Sequence, residues 1–371
     1  MAKINKYLIV IGGPTASGKT SLAIRLANHF ETEILSADSR QFYREMSIGT
    51  AKPTKKELAA AKHHFVDSIS IQKTYSVGQY ERDAVQLLDE LFKKQEVVIM
   101  TGGSGLFINA VCQGLDDFPS IQPKTRQKAM EIFDQKGIEA LQQIIEENDP
   151  DYYQKVDLQN KRRLMRAVEV ILETGEAYSS FLAKNKVKRR FVPIYLQVHH
   201  PREILYERIN YRVGLMMKAG LPEEVKGLLP YRSNNALQTV GYQELFEYFD
   251  GTISLERAIE LIQQNSRRYA KRQITWMRRD GFWKHIRPDD VAVALDYIAA
   301  FRQNRICVEQ YSKQLNSGGV LMDVLLKKAD ELIEKVPLIK KGKKVLLQPD
   351  FTIQSPILQY EVALLLEEMN H

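Results

Sequence analysis

Cysteine is almost missing from this chain. Its 371 residues hold two, Cys112 and Cys307, far apart and at no metal-binding or redox spacing. A disulfide framework is thereby excluded, and a reduced, cytoplasmic setting follows. Long apolar runs are missing as well. None approaches the roughly 20 residues that span a bilayer, so no membrane segment is expected, and the run in "MAKINKYLIV" is too short for a signal peptide. Internal repeats and low-complexity stretches are not found. Acid is scarcer than base: 46 Asp and Glu against 53 Lys and Arg leave a net charge of +7. A mild excess of this kind suits a polyanionic partner without requiring one. Its distribution says more, because the cations gather in "NKRRLMR" (160–166), "KNKVKRR" (184–190) and "RRYAKRQITWMRR" (267–279).

What is present is ordinary for a soluble protein, with 44% hydrophobic and 27% charged residues. The length implies two or three domains. "YLIVIG" (7–12) reads as a buried parallel strand, too short for a helix and bounded by glycine. "TEILSAD" (32–38) and "EVVIMTGG" (96–103) read as further strands, with helical spacing over 21–30, 55–63 and 76–94. This alternation predicts an α/β fold with a doubly wound parallel sheet. From Pro119 onward the pattern is helical throughout, until "FVPIYLQVHH" (191–200) returns to strand character and rejoins the sheet. The chain therefore divides into 1–118, a first part of the core; 119–190, an inserted all-helical domain; 191–305, the rest of the core with basic helices; and 306–371, an extension with nearly balanced charge and no readable motif.

"GPTASGKT" (13–20) has the spacing G-x-x-x-x-G-K-T between a strand and a helix. Gly13 and Gly18 let the backbone fold tightly around Pro14, so that the N–H groups of Thr15, Ala16, Ser17 and onward converge on an anion. The following helix adds its positive dipole end, Lys19 a point charge, and Thr20 a hydroxyl able to hold Mg2+. An ordinary NTPase of this fold also needs a carboxylate ending a neighbouring strand. The third strand offers "VVIMTGGSG" with none, whereas the second ends in Asp38 within "SADSRQ". "TGGSG" (101–105) supplies a second glycine-rich turn, with Ser104 facing the first loop, at the strand ends where open α/β sheets bind ligands.

These motifs, with "SADSRQFYREMSIGTAKP" (36–53), "RVGLMMKAGLPEEV" (212–225), "TVGYQELFEYFDG" (239–251) and "AKRQITWMRR" (270–279), resemble the bacterial tRNA dimethylallyltransferases over about residues 5–285. The resemblance implies a P-loop NTPase-like core and transfer of a dimethylallyl group from dimethylallyl diphosphate. The acceptor it implies is N6 of adenosine 37, in tRNAs reading codons that begin with U. Asp38 would be the base, and Lys19, Ser104, Arg212 and Mg2+ would act on the diphosphate. Carried over by motif, the tRNA path comprises Asp38, Ser39, Arg40, Gln41, Ser104, Arg126, Arg162, Arg163, Arg166, Gln238, Gly241, Tyr242, Gln243, Lys271, Arg272, Gln273, Trp276 and Arg278. The chain departs from the family in having Ser104 where threonine is common, Gly214 where many members carry an acid, and Ser266–Arg267 in place of a threonine-arginine pair.

Blander readings stand beside these. Without the resemblance, Arg212 on a predicted helix is a solvated surface arginine. Ile274 and Trp276 fit a core-facing stripe, Tyr242 can stack on a base or simply pack, and His63–His64 reads as structural. Three rival functions share the loop: a small-molecule kinase or NTPase, a prenyltransferase acting on free AMP, ADP or ATP, and an RNA-binding protein with a vestigial loop. The basic helix and the insertion speak against the first two, and the intact Lys19, Thr20, Asp38 and Ser104 against the third. A monomer is the expected state.

Overall fold

The computed structural model describes residues 6–182, 187–280, 283–303, 338–341 and 344–347. It divides into two compact units, one running to Pro288 and the other beginning at Asp289. The first opens with β1 (Tyr7–Gly12), α1 (Lys19–His29), β2 (Ile34–Ser36), α2 (Lys55–Ala60) and a two-residue β3 (His63–His64). Then come α3 (Val77–Leu91), β4 (Val97–Gly102) and α4 (Gly105–Gln113). Helices α5 (Pro123–Asn148), α6 (Pro150–Tyr153) and α7 (Lys161–Thr174) intervene before β5 (Val192–Val198). The unit closes with α8 (Arg202–Lys218), α9 (Leu221–Gly227), α10 (Gln243–Phe249), α11 (Leu255–Asp280) and β6 (Lys284–Ile286).

The six strands form one sheet in the order β3-β2-β4-β1-β5-β6, and every pairing is parallel. Every residue of β1 and β4 is buried, which is why their sequences are continuous apolar runs rather than alternating ones. The doubly wound parallel sheet expected from the sequence is therefore the fold. Gly12 lies opposite both Gly102 and Gln197, and Ser36 opposite Thr101. The carboxyl ends of four strands thus finish level, and the turns that follow them share one edge.

Two strands escaped the sequence. β3 and β6 are short, and their histidines and lysine give neither an apolar run nor an alternation. β2 is shorter than the expected 32–38. Thr32 turns its hydroxyl to the Val97 carbonyl at 2.6 Å, and Asp38 already belongs to the next turn, its carboxylate accepting from Arg40 N.

Within the helical stretch, α5 breaks at Gly137, whose φ of 77° no helix tolerates. α5 and α7 pack on each other through Ala129, Leu141, Ile145, Leu164, Val168 and Ile171. Beyond β5, helices α8 to α11 build a separate core with Val213, Leu221, Tyr242, Leu245 and Phe246, closed by Tyr43 and Met46 from the segment after β2. That segment is anchored on its other side by Phe42, which stacks on Tyr80 at 5.2 Å and meets Phe65, Tyr75 and Phe107. The Tyr80 hydroxyl donates to the Ser36 carbonyl at 3.0 Å, tying this cluster to the end of β2.

In the second unit, α12 (Val291–Gln303) is described, with an antiparallel pair β7 (Leu338–Lys341) and β8 (Lys344–Leu347). Cys307 and the helix-like "DVLLKKADELIEKV" (323–336) lie outside the described residues. Among the described residues, no helix is long and apolar enough to cross a membrane.

Phe42 is fully buried in its aromatic cluster. Phe42→Ala should therefore cost about 3–5 kcal/mol of stability, read as a lowered midpoint in denaturant unfolding with an unchanged slope.

Candidate active site

The loop between β1 and α1 turns through Ala16 at φ 64° and Gly18 at φ 91°. Three consecutive backbone groups in it are held from elsewhere in the chain. Thr15 N donates to Gln273 Oε1 at 3.0 Å, the Ala16 carbonyl accepts from Arg208 Nε at 2.8 Å, and His200 Nε2 lies 2.8 Å from the Ser17 carbonyl. Arg212 adds a contact to Thr15 Oγ1 at 3.4 Å. Ser17 is fully buried, with its hydroxyl unpartnered. A buried hydroxyl without a partner is uncommon, and here it belongs to a loop whose amides are built to meet an acceptor.

Lys19 and Thr20 begin α1, whose first turn has no acid to compete for its amides. Burial lowers the Lys19 ammonium to a pKa of about 8; Asp38 opposes that shift and Arg212 reinforces it. Burial also lowers Arg212, with Arg208 adding to the effect while Glu57 and Asp38 oppose it. Lys19, Asp38, Arg208 and Arg212 therefore feel one another across a single site. Arg212 is not the solvated arginine that its helical position suggests.

Asp38 follows β2 in a tight turn, with Oδ1 accepting from Arg40 N at 3.2 Å and its carbonyl from Gln41 N at 3.1 Å. The second glycine turn meets it there. Ser104 N donates to the Ala37 carbonyl at 3.3 Å, and Ser39 N donates to Ser104 Oγ at 3.1 Å. Tyr269 reaches the same place from α11: it shares a hydrogen bond with Ser104, while burial first and the Asp38 charge second push its phenol up to about 12. All four residues expected to act in catalysis, Lys19, Asp38, Ser104 and Arg212, are thus assembled at the carboxyl edge of the sheet.

The residues expected along an RNA path divide into two groups. Arg126, Arg162, Arg163, Gln238, Gln243, Lys271, Arg272 and Arg278 are exposed. Arg166 is half-buried, 3.6 Å from Glu169 and over the Phe118 ring. The Arg162 charge is felt at Arg40, so the start of α7 stands near the 38–41 turn. The other group faces inward. Tyr242 is wholly buried and donates to Glu224 Oε1 at 2.7 Å, so it packs rather than stacks on a base. Gly241 is buried beside it, its N–H donating to Glu244 at 2.7 Å. Gln273 is only 5% exposed. Trp276 is half-buried, 6.2 Å from Trp283 in the sheet core. Arg40 and Gln41 are partly engaged as braces. Arg40 donates to the Asn235 and Ala236 carbonyls at 2.9 and 3.0 Å, and Gln41 to the Thr50 and Ala51 carbonyls at 3.3 and 3.2 Å.

Sequence reasoning passed over Glu224, Arg208, His200 and Tyr269. Glu224 accepts from Ser47 N, Ile48 N and Gly49 N at 3.0, 2.8 and 3.1 Å, besides Tyr242, and so pins the "SIGT" turn to α9. Only its place in a quoted motif could have drawn notice.

Residues 41–280 match a family model described as IPP transferase. A tRNA dimethylallyltransferase of Christiangramia forsetii is 53% identical over 277 residues, covering 75% of this chain and 92% of that protein. Another, of Cytophaga hutchinsonii, is 46% identical over 300 residues, covering 81% and 99%. Among solved structures, the full-length tRNA isopentenylpyrophosphate transferase of Bacillus halodurans superposes with a TM-score of 0.61 at 31% identity, covering 82% of this chain and 99% of that one. A eukaryotic dimethylallyltransferase acting on tRNA gives a TM-score of 0.69 at 25% identity, covering 81% and 80%.

The depressed Lys19 ammonium sets a pH dependence. Its cation persists below a pH of about 8 and is lost above it, so the affinity of the free protein for inorganic diphosphate should fall as pH rises through that value. Calorimetric titration from pH 6.5 to 9.5 measures the profile (a range of roughly three units around the shifted value), and Lys19→Met should remove the inflection. On the outer face of α11, Lys271→Ala with Arg272→Ala should weaken RNA binding and flatten its dependence on log salt by roughly 0.7–0.9 for each phosphate no longer neutralised, with diphosphate binding unchanged.

Proposed function

The chain belongs to the IPP transferase family, and from that premise we infer that it transfers the dimethylallyl group of dimethylallyl diphosphate to N6 of adenosine 37, in tRNAs reading codons that begin with U. One observation carries the site reading: Lys19 of the phosphate loop feels the charge of Asp38 in the turn after β2, while β4 ends in Gly102 with no carboxylate. A kinase of this fold needs an acid for metal and water. An alkyl transfer to a weakly nucleophilic amine needs a base near the amine and cations near the leaving group.

The bond from C1 of the donor to its diphosphate oxygen breaks, and the electron pair leaves with the diphosphate. The bond from N6 to C1 forms, and the N6 proton passes to the Asp38 carboxylate. Lys19, Arg212 and the loop amides stabilise the departing charge, where removal of one such donor costs on the order of 10²–10³ in rate. Ser104 and Ser39 hold the Asp38 turn in place. Adenosine 37 must leave its stack to reach this turn, at a cost of a few kcal/mol.

Mg2+ fits the donor set. Thr20 offers a hydroxyl, a hard oxygen of the type this ion takes. Among the described residues no cluster of three or more His, Cys, Asp or Glu could hold a metal. Held at Thr20, Mg2+ would neutralise part of the diphosphate charge. The exposed cations of α7 and α11, with Arg126, Gln238 and Gln243, form the tRNA path, and the helices within 119–190 supply one of its walls. The protein works as a monomer in the cytoplasm.

Incubation with dimethylallyl diphosphate, Mg2+ and unmodified tRNA, followed by nucleoside mass spectrometry, should reveal an adenosine heavier by one C5H8 unit. Asp38→Ala should lower turnover by roughly 10²–10⁴ and leave tRNA affinity within about twofold. Near-full activity of that variant would remove the base assignment, and tRNA-independent ATP turnover would remove the whole reading.

A further inference from the structure

Helix α11 has two unlike faces. Arg268, Lys271, Arg272 and Arg278 point to solvent. Tyr269, Gln273 and Met277 follow one another at four-residue steps on the opposite side, where helical geometry lines them up. Met277 is buried in the sheet core, and Tyr269 reaches Ser104. Between them, Gln273 bridges the two glycine turns, accepting from Thr15 N at 3.0 Å and donating to the Gly103 carbonyl at 3.0 Å. Gly103 is glycine for that reason: a Cβ there would stand 2.0 Å from Gln273 Nε2.

We propose that Gln273 is a positioning residue for the transfer reaction: it sets the distance between the phosphate loop and the second glycine turn, and through it the RNA-facing helix is coupled to the donor site. This rests on the loop being the diphosphate site. One planar amide makes both bonds, and each bond works only within a window of a few tenths of an ångström. A rigid helix that shifts when its outer face takes up RNA therefore moves both turns together. Any such coupling is reciprocal, since tRNA must tighten diphosphate binding by the same factor as diphosphate tightens tRNA binding.

The test uses the full-length protein. Diphosphate affinity is measured by calorimetry with and without unmodified tRNA, tRNA affinity by filter binding, and kcat and KM by prenyl transfer. Gln273→Ala should weaken diphosphate binding by roughly tenfold or more, the worth of two neutral hydrogen bonds. It should also bring the coupling factor to about one and lower kcat, while affinity for tRNA alone stays within about twofold. Gln273→Glu keeps the acceptor for Thr15 N but sets a carboxylate oxygen against the Gly103 carbonyl and a negative charge beside the anion site, so it should weaken diphosphate binding at least as much as Gln273→Ala. Gly103→Ala supplies a second route, because its Cβ displaces only the flexible end of Gln273. It should fold, behave like Gln273→Ala, and add nothing to it in the double variant.

The inference is overturned if Gln273→Ala and Gly103→Ala keep wild-type diphosphate affinity and coupling. A wild-type coupling factor of one overturns it too, as does a loss of tRNA affinity by Gln273→Ala that matches its loss of activity. A wild-type protein that prenylates no tRNA defeats the functional reading instead, whatever the variants do.

Discussion

A loop that leaves amides free for an anion has few with which to hold itself together, and here Ser17 N donates to the Pro14 carbonyl at 3.3 Å. Most of its hold comes from outside. Here Gln273, Arg208 and His200 grip the backbone of Thr15, Ala16 and Ser17 in turn, and they come from α11, α8 and the turn after β5. The first twenty residues therefore depend on elements almost two hundred or more residues away. That is the structural reason for the helices after β5 to fold back over the sheet edge.

Charge at this edge is arranged in opposition. Burial works against the cations of Lys19 and Arg212, and a neighbouring cation adds to it in each case, Arg212 at Lys19 and Arg208 at Arg212. Asp38 relieves part of that cost and is itself held by a local turn. A site left this positive is poised for an anionic group, and it contains one acid suited to accept a proton. In the proposed reaction, leaving-group stabilisation and deprotonation come from one cluster, with no second carboxylate needed on β4.

The Asp38 turn and the proposed RNA surface share their framework. Arg40 ties the Asp38 turn to the 235–238 segment, Gln41 ties it to the 50–51 turn, and Glu224 pins the 47–49 turn to α9. Side chains that look like RNA readers in a motif are therefore divided in use, some facing outward and others stitching one loop to the next. Motifs of this density follow from both demands falling on the same few residues.

Much of this was legible in the residues alone. β1 and β4 are unbroken apolar runs ended by glycine, the G-x-x-x-x-G-K-T spacing lies between strand and helix, and Asp38, Ser104 and Arg212 sit in recognisable surroundings. These are local properties, fixed by backbone sterics and by burial on both faces of a parallel sheet. β3 and β6 were not legible, because two or three polar residues carry no period. Nor were the roles of Gln273, Tyr242 and Glu224. Glutamine, tyrosine and glutamate suit an exposed helix face as well as a buried bridge, and their partners lie 258, 18 and 175–177 residues away respectively. The order of residues determined the sheet, the loop and the chemistry on offer. Only the tertiary structure decided which side of α11 meets solvent and which holds the loop, since that choice depends on what the rest of the chain brings alongside.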